Sequence, residues 1–277
     1  MIDFSLSDEQ KALQKLARDF AQKEIVPVAL QYDREPAFPG DIIKKAHGAG
    51  LMNLTCPKEY AGHGLGLVNA ALMTEELNVA CVAISGMIGI NSLACGPILA
   101  GGSHEQKQRF LIPLNQSGKT ASFGLTEREA GSDAGSLKTQ VKLEGDHYVL
   151  NGQKCFITNA SYAAFYTIFA TIDPTKGTKG ICAFVVPRES PGLSIGKVED
   201  KMGQRVLNVA EVILENVVVP RENRLGNEGE GFKFAMEALD EGRVNIATVG
   251  VGLARAAFET ALDYAKKRVQ FGRPIGA

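Results

Sequence analysis

From the N-terminus to about residue 118, apolar positions recur at the three- and four-residue intervals of amphipathic helices. Leu13, Leu16, Phe20 and Ile25 make the first stripe, with lysines and an arginine between them. Ser7 followed by Gln10 is the pattern of a capping box, in which each side chain satisfies the other residue's backbone N–H. The first helix is therefore predicted to start there. Pro27 has no N–H to give and crowds the preceding turn, so it is predicted to kink or end that helix. A second helix is predicted from near Pro39 through Ile42, Ile43 and Ala46 to Gly50, and others near 68–80, 83–95 and 104–116. Ala61-Gly62-His63-Gly64-Leu65-Gly66 is read as a turn between helices. A phosphate-binding loop would need a strand before it and a Lys-Ser/Thr after it, and neither is present.

The period then changes. Between about 119 and 225, Val, Ile, Thr and aromatic residues come in short runs bounded by turn residues. Lys138–Leu143 and His147–Ile157, joined by Glu144-Gly145-Asp146, read as a hairpin. Further strands are predicted at Phe165–Thr171, Gly180–Pro187, Leu193–Lys197 and Glu211–Leu214. Short, closely spaced strands suggest a small antiparallel sandwich or barrel. From Gly229 the helical period returns. One long helix is predicted from Phe232 to Arg268, apolar around much of its circumference at Ala247, Val251, Leu253, Ala254, Phe258, Leu262 and Ala265. A helix of that kind needs neighbours on more than one side, so the sequence reads as unfinished at Ala277. The resulting class is a multidomain α+β protein: an N-terminal α-helical domain (1–118), a middle antiparallel β-sandwich or barrel (119–228), and the start of a C-terminal α-helical bundle (229–277).

Composition narrows the chemistry. The chain has 277 residues, 45% hydrophobic and 22% charged, with a net charge of −1. That is ordinary globular composition, with no electrostatic case for nucleic acid or an anionic membrane. Five cysteines, an odd number without close pairs, argue against a disulfide framework and read as buried thiols. His47, His63, His104 and His147 show no metal-ligand spacing, so no metal site is expected. Met1-Ile2-Asp3 is too short and lacks the basic residues of a secretory leader. The uncharged run Asn78–Gly102 is long enough to span a membrane, but it carries Asn78, Ser85, Asn91, Ser92 and Pro97 and no aromatic belt. It is read as a buried helix pair, or a helix and turn, and no membrane span is expected.

The informative segment is Gly124-Leu125-Thr126-Glu127-Arg128-Glu129-Ala130-Gly131-Ser132-Asp133-Ala134-Gly135-Ser136. Physically it is a strand running into a Gly/Ser/Asp loop, whose backbone N–H groups and hydroxyls can meet an anionic or polar cofactor. This stretch resembles the first signature of the acyl-CoA dehydrogenase family. Four later stretches agree in order: Asn151–Asn159, Lys201-Met202-Gly203-Gln204-Arg205, Val218-Val219-Pro220 with Gly229-Glu230-Gly231-Phe232, and Arg268-Val269-Gln270-Phe271-Gly272. The resemblance covers essentially the whole chain, and straight-chain members look closest. It departs at Arg128-Glu129, where many members have Pro-Gly, and at Phe156, where many have Trp.

The resemblance implies FAD as cofactor and a saturated acyl-CoA as substrate. A carboxylate takes the α-proton, the β-hydrogen goes to the flavin as hydride, and electrons pass on to an electron-transfer flavoprotein. Carried over residue by residue, Phe123, Leu125 and Thr126 would line the isoalloxazine. Ser132 would sit near the flavin phosphates and the thioester ligand. Phe156 would pack on the ring, and Thr158 would hydrogen-bond its N5 edge. Arg268 and Phe271 would meet the FAD of a neighbouring subunit, implying a homo-oligomer, a tetramer or dimer. Leu93, Leu239, Asp240 and Arg243, with Ser132, would contact the substrate. For Arg243, a surface ion pair with Asp240 is an equal alternative.

Gly86, Gly89 and Leu93 resemble the base of the acyl pocket, which small residues deepen unless a neighbouring side chain fills the space. In most members the base is a Glu beyond the position of Ala277, so no catalytic residue is assigned within this chain. Some members carry that Glu immediately before the arginine matching Arg243. Here that place is Gly242, and Glu241, one residue earlier, is rotated away by about 100°. The resemblance leaves two outcomes open. One is a dehydrogenase of which these residues are part, cytoplasmic in a bacterium or in the mitochondrial matrix. The other is a non-catalytic short paralogue or fragment that binds flavin, acyl-CoA or a partner chain.

Overall fold

The computed structural model describes residues 4–277, so the reading of Met1–Asp3 lies outside the described residues. The helical segment opens as expected. Ser7 Oγ accepts from Gln10 N–H at 3.2 Å and Gln10 Oε1 accepts from Ser7 N–H at 3.0 Å, capping α1 (Asp8–Phe20). Pro27 does not stop the chain's helical course. A π-helical turn at Ala21–Ile25 takes up the irregularity, and Pro27 falls in the first turn of α2 (Val26–Arg34), where a missing N–H costs nothing. Next come α3 (Gly40–Gly48) and α4 (Leu67–Ala80). Between them the glycine-rich 61–66 segment folds back on residues 53–58. The N–H groups of Gly62, Gly64 and Leu65 donate to the carbonyls of Pro57, Cys56 and Leu54. They are spent on the turn itself.

The expected helix over 83–95 is two helices, α5 (Val82–Gly89) and α6 (Asn91–Gly101), hinged at Ile90. Asn91 holds the hinge: its Nδ2 donates to Asn53 Oδ1 and Lys119 C=O, and its Oδ1 accepts from Ala121 N–H. The stretch Val82–Gly101 is long and apolar enough by composition to cross a membrane. More than half of it is buried inside this fold, as core helices also are. α7 (His104–Ser117) carries a second capping box, Ser103 with Gln106, and completes the segment.

The middle segment is one eight-stranded sheet of β1 (Thr120–Gly124), β2 (Gln140–Glu144), β3 (His147–Thr158), β4 (Ala163–Thr171), β5 (Ile181–Pro187), β6 (Leu193–Val198), β7 (Val209–Pro220) and β8 (Arg224–Leu225). Seven of these follow the order β6-β7-β3-β2-β4-β5-β8, and β1 lies off that path. The β2–β3 hairpin forms with Leu143 opposite Tyr148. The sheet is mostly antiparallel, but β1 joins β4 in parallel, Phe123 opposite Thr167. Tyr148, Tyr166, Phe184 and Val212 fill a fully buried core within it.

From the sheet the chain enters α8 (Gly231–Lys267), which packs on α4 and α6. Gly96 makes the α6 contact possible: a Cβ there would lie 2.7 Å from Ala238 Cβ. Glu76 of α4, its carboxylate buried, receives Arg18 from α1 and Arg255 from α8 in forked pairs of hydrogen bonds. The far half of α8 leaves Ile246, Leu253 and Phe258 exposed. The helix ends as expected, with Arg268 as its C-cap, and the chain then turns into a small hairpin, β9 (Val269–Gln270) with β10 (Arg273–Pro274). Phe271 and Gly272 turn it, both at positive φ.

Candidate functional site

One cavity of about 500 Å³ lies where the helical segments meet the ends of β1 and β3, a size ordinary for a small-molecule site. Four pieces of chain make its wall. The end of β1 and the following loop contribute Phe123, Leu125, Thr126 and residues 131–135. The end of β3 contributes Phe156, Ile157 and Thr158. The α5–α6 hinge gives Ile90 and Leu93. The first turns of α8 give Phe232, Met236, Leu239 and Arg243, with Thr178 beside them. The α8 positions recur at intervals of four, three and four, a single helical face about 16 Å long.

The wall's conformation is specific. Phe156 is a phenylalanine at φ +58°, in the left-handed region that β-carbon sterics disfavour. It falls in a bulge where the β3–β7 register shifts between Lys154 and Ile157. The bulge re-aims the side chain, and the phenyl ring stands 62% exposed beside the cavity. Burying this ring in the core would need no such strain. Phe123 packs against Phe169, ring centroids 5.0 Å apart. Residues 127–130 form a tight hairpin, with Glu127 and Ala130 exchanging backbone hydrogen bonds at 3.0 and 3.2 Å. Arg128 and Glu129 are its exposed tip and pair with Glu211 and Lys138 on the outside. The departure from Pro-Gly therefore lies away from the cavity wall.

Behind the wall, fully buried Lys154 donates to Glu127 Oε1 at 2.6 Å and to Leu125 C=O at 3.1 Å. Glu127 also accepts from Lys138 N–H, Thr139 N–H and the Thr139 hydroxyl. Burial pushes the Lys154 ammonium down to about 8. Burial pushes the Glu127 carboxyl up, but Lys154 and the three other donors outweigh it and hold it below its usual value.

Of the residues singled out in the sequence, Phe123, Leu125, Thr126, Ser132, Phe156, Thr158, Leu93, Leu239 and Arg243 line this one cavity. Asp240 does not. It is exposed and pairs with Arg243 Nε at 3.8 Å, so the surface ion pair and a place at the cavity rim are both realised for Arg243. Arg268 and Phe271 are exposed on the C-terminal hairpin, outside the cavity. Glu241 does not line it either. Gly242 borders it through Leu93: a Cβ at 242 would lie 3.5 Å from Leu93 Cδ1. Sequence reasoning missed Phe232, Met236, Ile90 and Thr178. The spacing of 232, 236, 239 and 243 is a signal that would have found the first two. Asp133 is the one carboxylate on the wall.

The donor set suits a flat, partly polar heteroaromatic group with a phosphate tail. Aromatic and aliphatic faces (Phe123, Leu125, Phe156) adjoin the hydroxyls of Thr126, Ser132 and Thr158. Among the described residues none of these hydroxyls has a partner in the protein. The residues present thus fit a flavin.

A helical domain, a β domain and a helix closing over one cavity between them are the architecture of a flavin-dependent acyl-CoA dehydrogenase. Sequence profiles agree, and the chain belongs to that family. The acyl-CoA dehydrogenase N-terminal domain matches residues 7–117, the middle domain 122–217 and the C-terminal domain 229–277. A short-chain specific acyl-CoA dehydrogenase of Clostridium acetobutylicum is 42% identical over 99% of this chain and 73% of its own length. The butyryl-CoA dehydrogenase structure from Megasphaera elsdenii superposes with a TM-score of 0.95 at 38% identity, covering 99% of this chain and 73% of that one. A chain from the structure of the electron transferring flavoprotein of Acidaminococcus fermentans gives 0.96 at 41% identity, with the same coverage. The chain thus spans nearly three quarters of these relatives' length.

Proposed function

We infer that this chain forms the flavin-facing part of an acyl-CoA dehydrogenase. The enzyme converts a saturated acyl-CoA to the 2-enoyl-CoA and passes the electrons from FAD to an electron-transfer flavoprotein. The observation that carries the reading is the strained, exposed Phe156 beside Thr158 in a cavity whose other wall is the Leu125–Gly135 loop. The division into units is at 1–118, 119–228 and 229–277, with the cavity at their meeting point.

Bound FAD supplies the acceptor for the hydride leaving the acyl β-carbon. The chain's own residues hold the reactants. Phe123, Leu125 and Phe156 give the ring apolar faces to rest on, and offset aromatic contacts of this kind are worth about 0.5–1.5 kcal/mol beyond burial. Thr158 would hydrogen-bond the N5 edge of the flavin and Thr126 its polar rim, and Ser132, on the glycine-rich loop, would hold the phosphates and the thioester ligand. Leu93 and Leu239 flank the acyl group and exclude water, while Arg243 at the rim, with its exposed ion-pair partner Asp240, meets the CoA part. Most of the rate gain in such a site is alignment, because two C–H bonds break at nearly fixed geometry.

The proton acceptor is a glutamate outside these 277 residues. Asp133, the carboxylate on the wall, stands beside Gly135 and Thr178. On its own, the 277-residue chain then binds FAD weakly and does not turn over. Arg268 and Phe271, exposed on their hairpin, serve a second subunit's FAD in a homo-oligomer, and the apolar far half of α8 is consistent with burial there.

Titrating the protein with FAD and following flavin fluorescence tests the site. The reading expects saturable quenching, weakened about tenfold by Phe156→Ala and weakened also by Thr158→Val. Absence of FAD uptake by a folded protein would overturn it.

A further inference from the structure

Thr158 of the cavity wall is clamped through its backbone. Fully buried Ser122 of β1 donates its hydroxyl to Thr158 C=O at 2.7 Å. The next residue, Asn159, is fully buried at φ +58°. Its N–H donates to Asn208 C=O at 2.8 Å, and its C=O accepts from Tyr162 N–H and Ala163 N–H at 2.9 and 3.0 Å. Its side chain reaches the helical segment. Asn159 Nδ2 donates to Met87 C=O at 3.3 Å, in the last turn of α5, and a helix end leaves its carbonyls open to donors of this kind.

Met87 stands about one helical turn before Ile90, which with Leu93 forms the hinge side of the cavity. That side is tied to the sheet at two more points. Asn91 Oδ1 accepts from Ala121 N–H of β1 at 2.8 Å, and Thr167 Oγ1 of β4 donates to Ala94 C=O of α6 at 2.7 Å. Asn159 joins it to the chain beside Thr158. Neither packing nor backbone conformation accounts for an amide at this position. Asn159 Oδ1 is buried and has no partner among the described residues. An unmet buried acceptor is costly, so a packing position would carry an apolar side chain, and glycine would take the left-handed backbone freely. What asparagine adds is the Nδ2 bond to Met87.

We propose that Asn159 is a positioning residue for hydride transfer. It holds the hinge wall, Ile90 and Leu93, in register with Thr158, and so sets where the acyl β-carbon lies relative to the flavin edge that Thr158 meets. The proposal rests on the reading of the cavity as the FAD and acyl-CoA site. Hydride transfer is steep in the separation of donor and acceptor, and a displacement of about 1 Å costs about a hundredfold in rate. The bond between Asn159 and Met87 acts on that separation from outside the cavity wall. Its loss therefore lowers the rate of reduction more than it lowers the affinity for either ligand.

The test uses the FAD-loaded complete gene product as wild type, Asn159→Gly and Asn159→Asp. Glycine keeps the backbone and removes the bond. Aspartate keeps the shape and sets an acceptor against Met87 C=O. The Kd of FAD is measured by fluorescence, and the Kd of the product crotonyl-CoA from its shift of the flavin band. The anaerobic rate of flavin reduction is measured at saturating butyryl-CoA, and melting temperature checks the fold. Both variants are expected to reduce flavin about ten- to a hundredfold more slowly, with both Kd values within about threefold of wild type. The crotonyl-CoA-induced shift should shrink as well, a change that a loss of stability alone does not produce. Wild-type rates and shifts in a folded Asn159→Gly would overturn the positioning role, as would losses of FAD and product affinity as large as the loss of rate. A wild-type protein that takes up FAD but shows neither shift nor reduction with any acyl-CoA would instead overturn the cavity reading. If Asn159→Gly does not fold, Asn159→Asp and Asn159→Ser give the same comparison.

Discussion

Lys154 Nζ donates to Glu127 Oε1 at 2.6 Å, in a place where the lysine side chain has no exposure and the carboxylate almost none. The pair ties together the two strips of backbone that face the cavity. Lys154 also holds Leu125 C=O, and Cys155 N–H donates to Thr126 C=O at 3.0 Å. Removing one partner leaves the other charged and buried. Lys154→Met is therefore expected to cost about 3–5 kcal/mol in urea unfolding. The double variant Lys154→Met/Glu127→Gln should recover part of that, because no bare charge remains. A single variant within about 0.5 kcal/mol of wild type would show that the pair does not brace the site.

The same carboxylates set the acid limit. Glu127 and Glu76 are both held below the usual value of 4.5, since their cationic partners and hydrogen-bond donors outweigh the upward push of burial. A carboxyl whose folded value is depressed stabilises the fold above its unfolded value, and that stability is lost as pH falls through the folded value. Melting temperature should hold down to about pH 5 and then fall steeply below 4.5. Glu76→Gln should start lower at neutral pH and fall less steeply. An unchanged slope in Glu76→Gln would contradict the assignment.

Phe156 separates stability from binding. Its left-handed backbone disfavours any side chain by about 1–2 kcal/mol, while glycine adopts it freely at an entropic cost of about 0.5–1 kcal/mol. Phe156→Gly is expected to leave the melting temperature of the flavin-free protein unchanged or slightly raised, and to weaken FAD binding about tenfold. Loss of stability in the flavin-free protein would mean that the ring serves the core.

Much of this was legible in the sequence, for reasons that differ by element. The capping boxes and the β2–β3 hairpin are local, and local chemistry decides them. The Ile90 hinge is only partly so: Asn91 and Ser92 mark the run as a helix pair or a helix and turn, but the break is placed by the distant partners of Asn91 at Asn53, Lys119 and Ala121. β7 runs to Pro220, beyond the expected end at Leu214. Asn216, at φ +52°, sits in a bulge that interrupts the alternation of buried and exposed residues. The parallel β1–β4 pairing joins residues about forty apart, a choice that no short-range pattern encodes. In the cavity, the polar and aromatic loop residues stood out. Phe232 and Met236 did not, although they share one face of α8 with Leu239 and Arg243, at intervals of four, three and four.

Gly242 tests the facing of α8. A Cβ there points at Leu93, a cavity-wall residue, so a longer side chain enters from that wall. In a complete protein whose own catalytic glutamate has been replaced by glutamine, Gly242→Glu is expected to restore a measurable part of flavin reduction, on the order of a few per cent given the importance of exact placement. Glu241 does not substitute, since one residue along a helix turns the side chain by about 100°. No recovery while FAD and ligand still bind would show that position 242 does not face the α-carbon.

The central claim is that this cavity holds FAD and an acyl-CoA together for hydride transfer. Its most direct test is anaerobic addition of butyryl-CoA to the FAD-loaded complete protein, watching the long-wavelength flavin absorption. The account predicts that the band bleaches with the complete protein, and that it shifts without bleaching with the isolated 277 residues. A complete protein that binds FAD stoichiometrically and acyl-CoA tightly, yet keeps its flavin oxidised with every acyl-CoA tried, would contradict it.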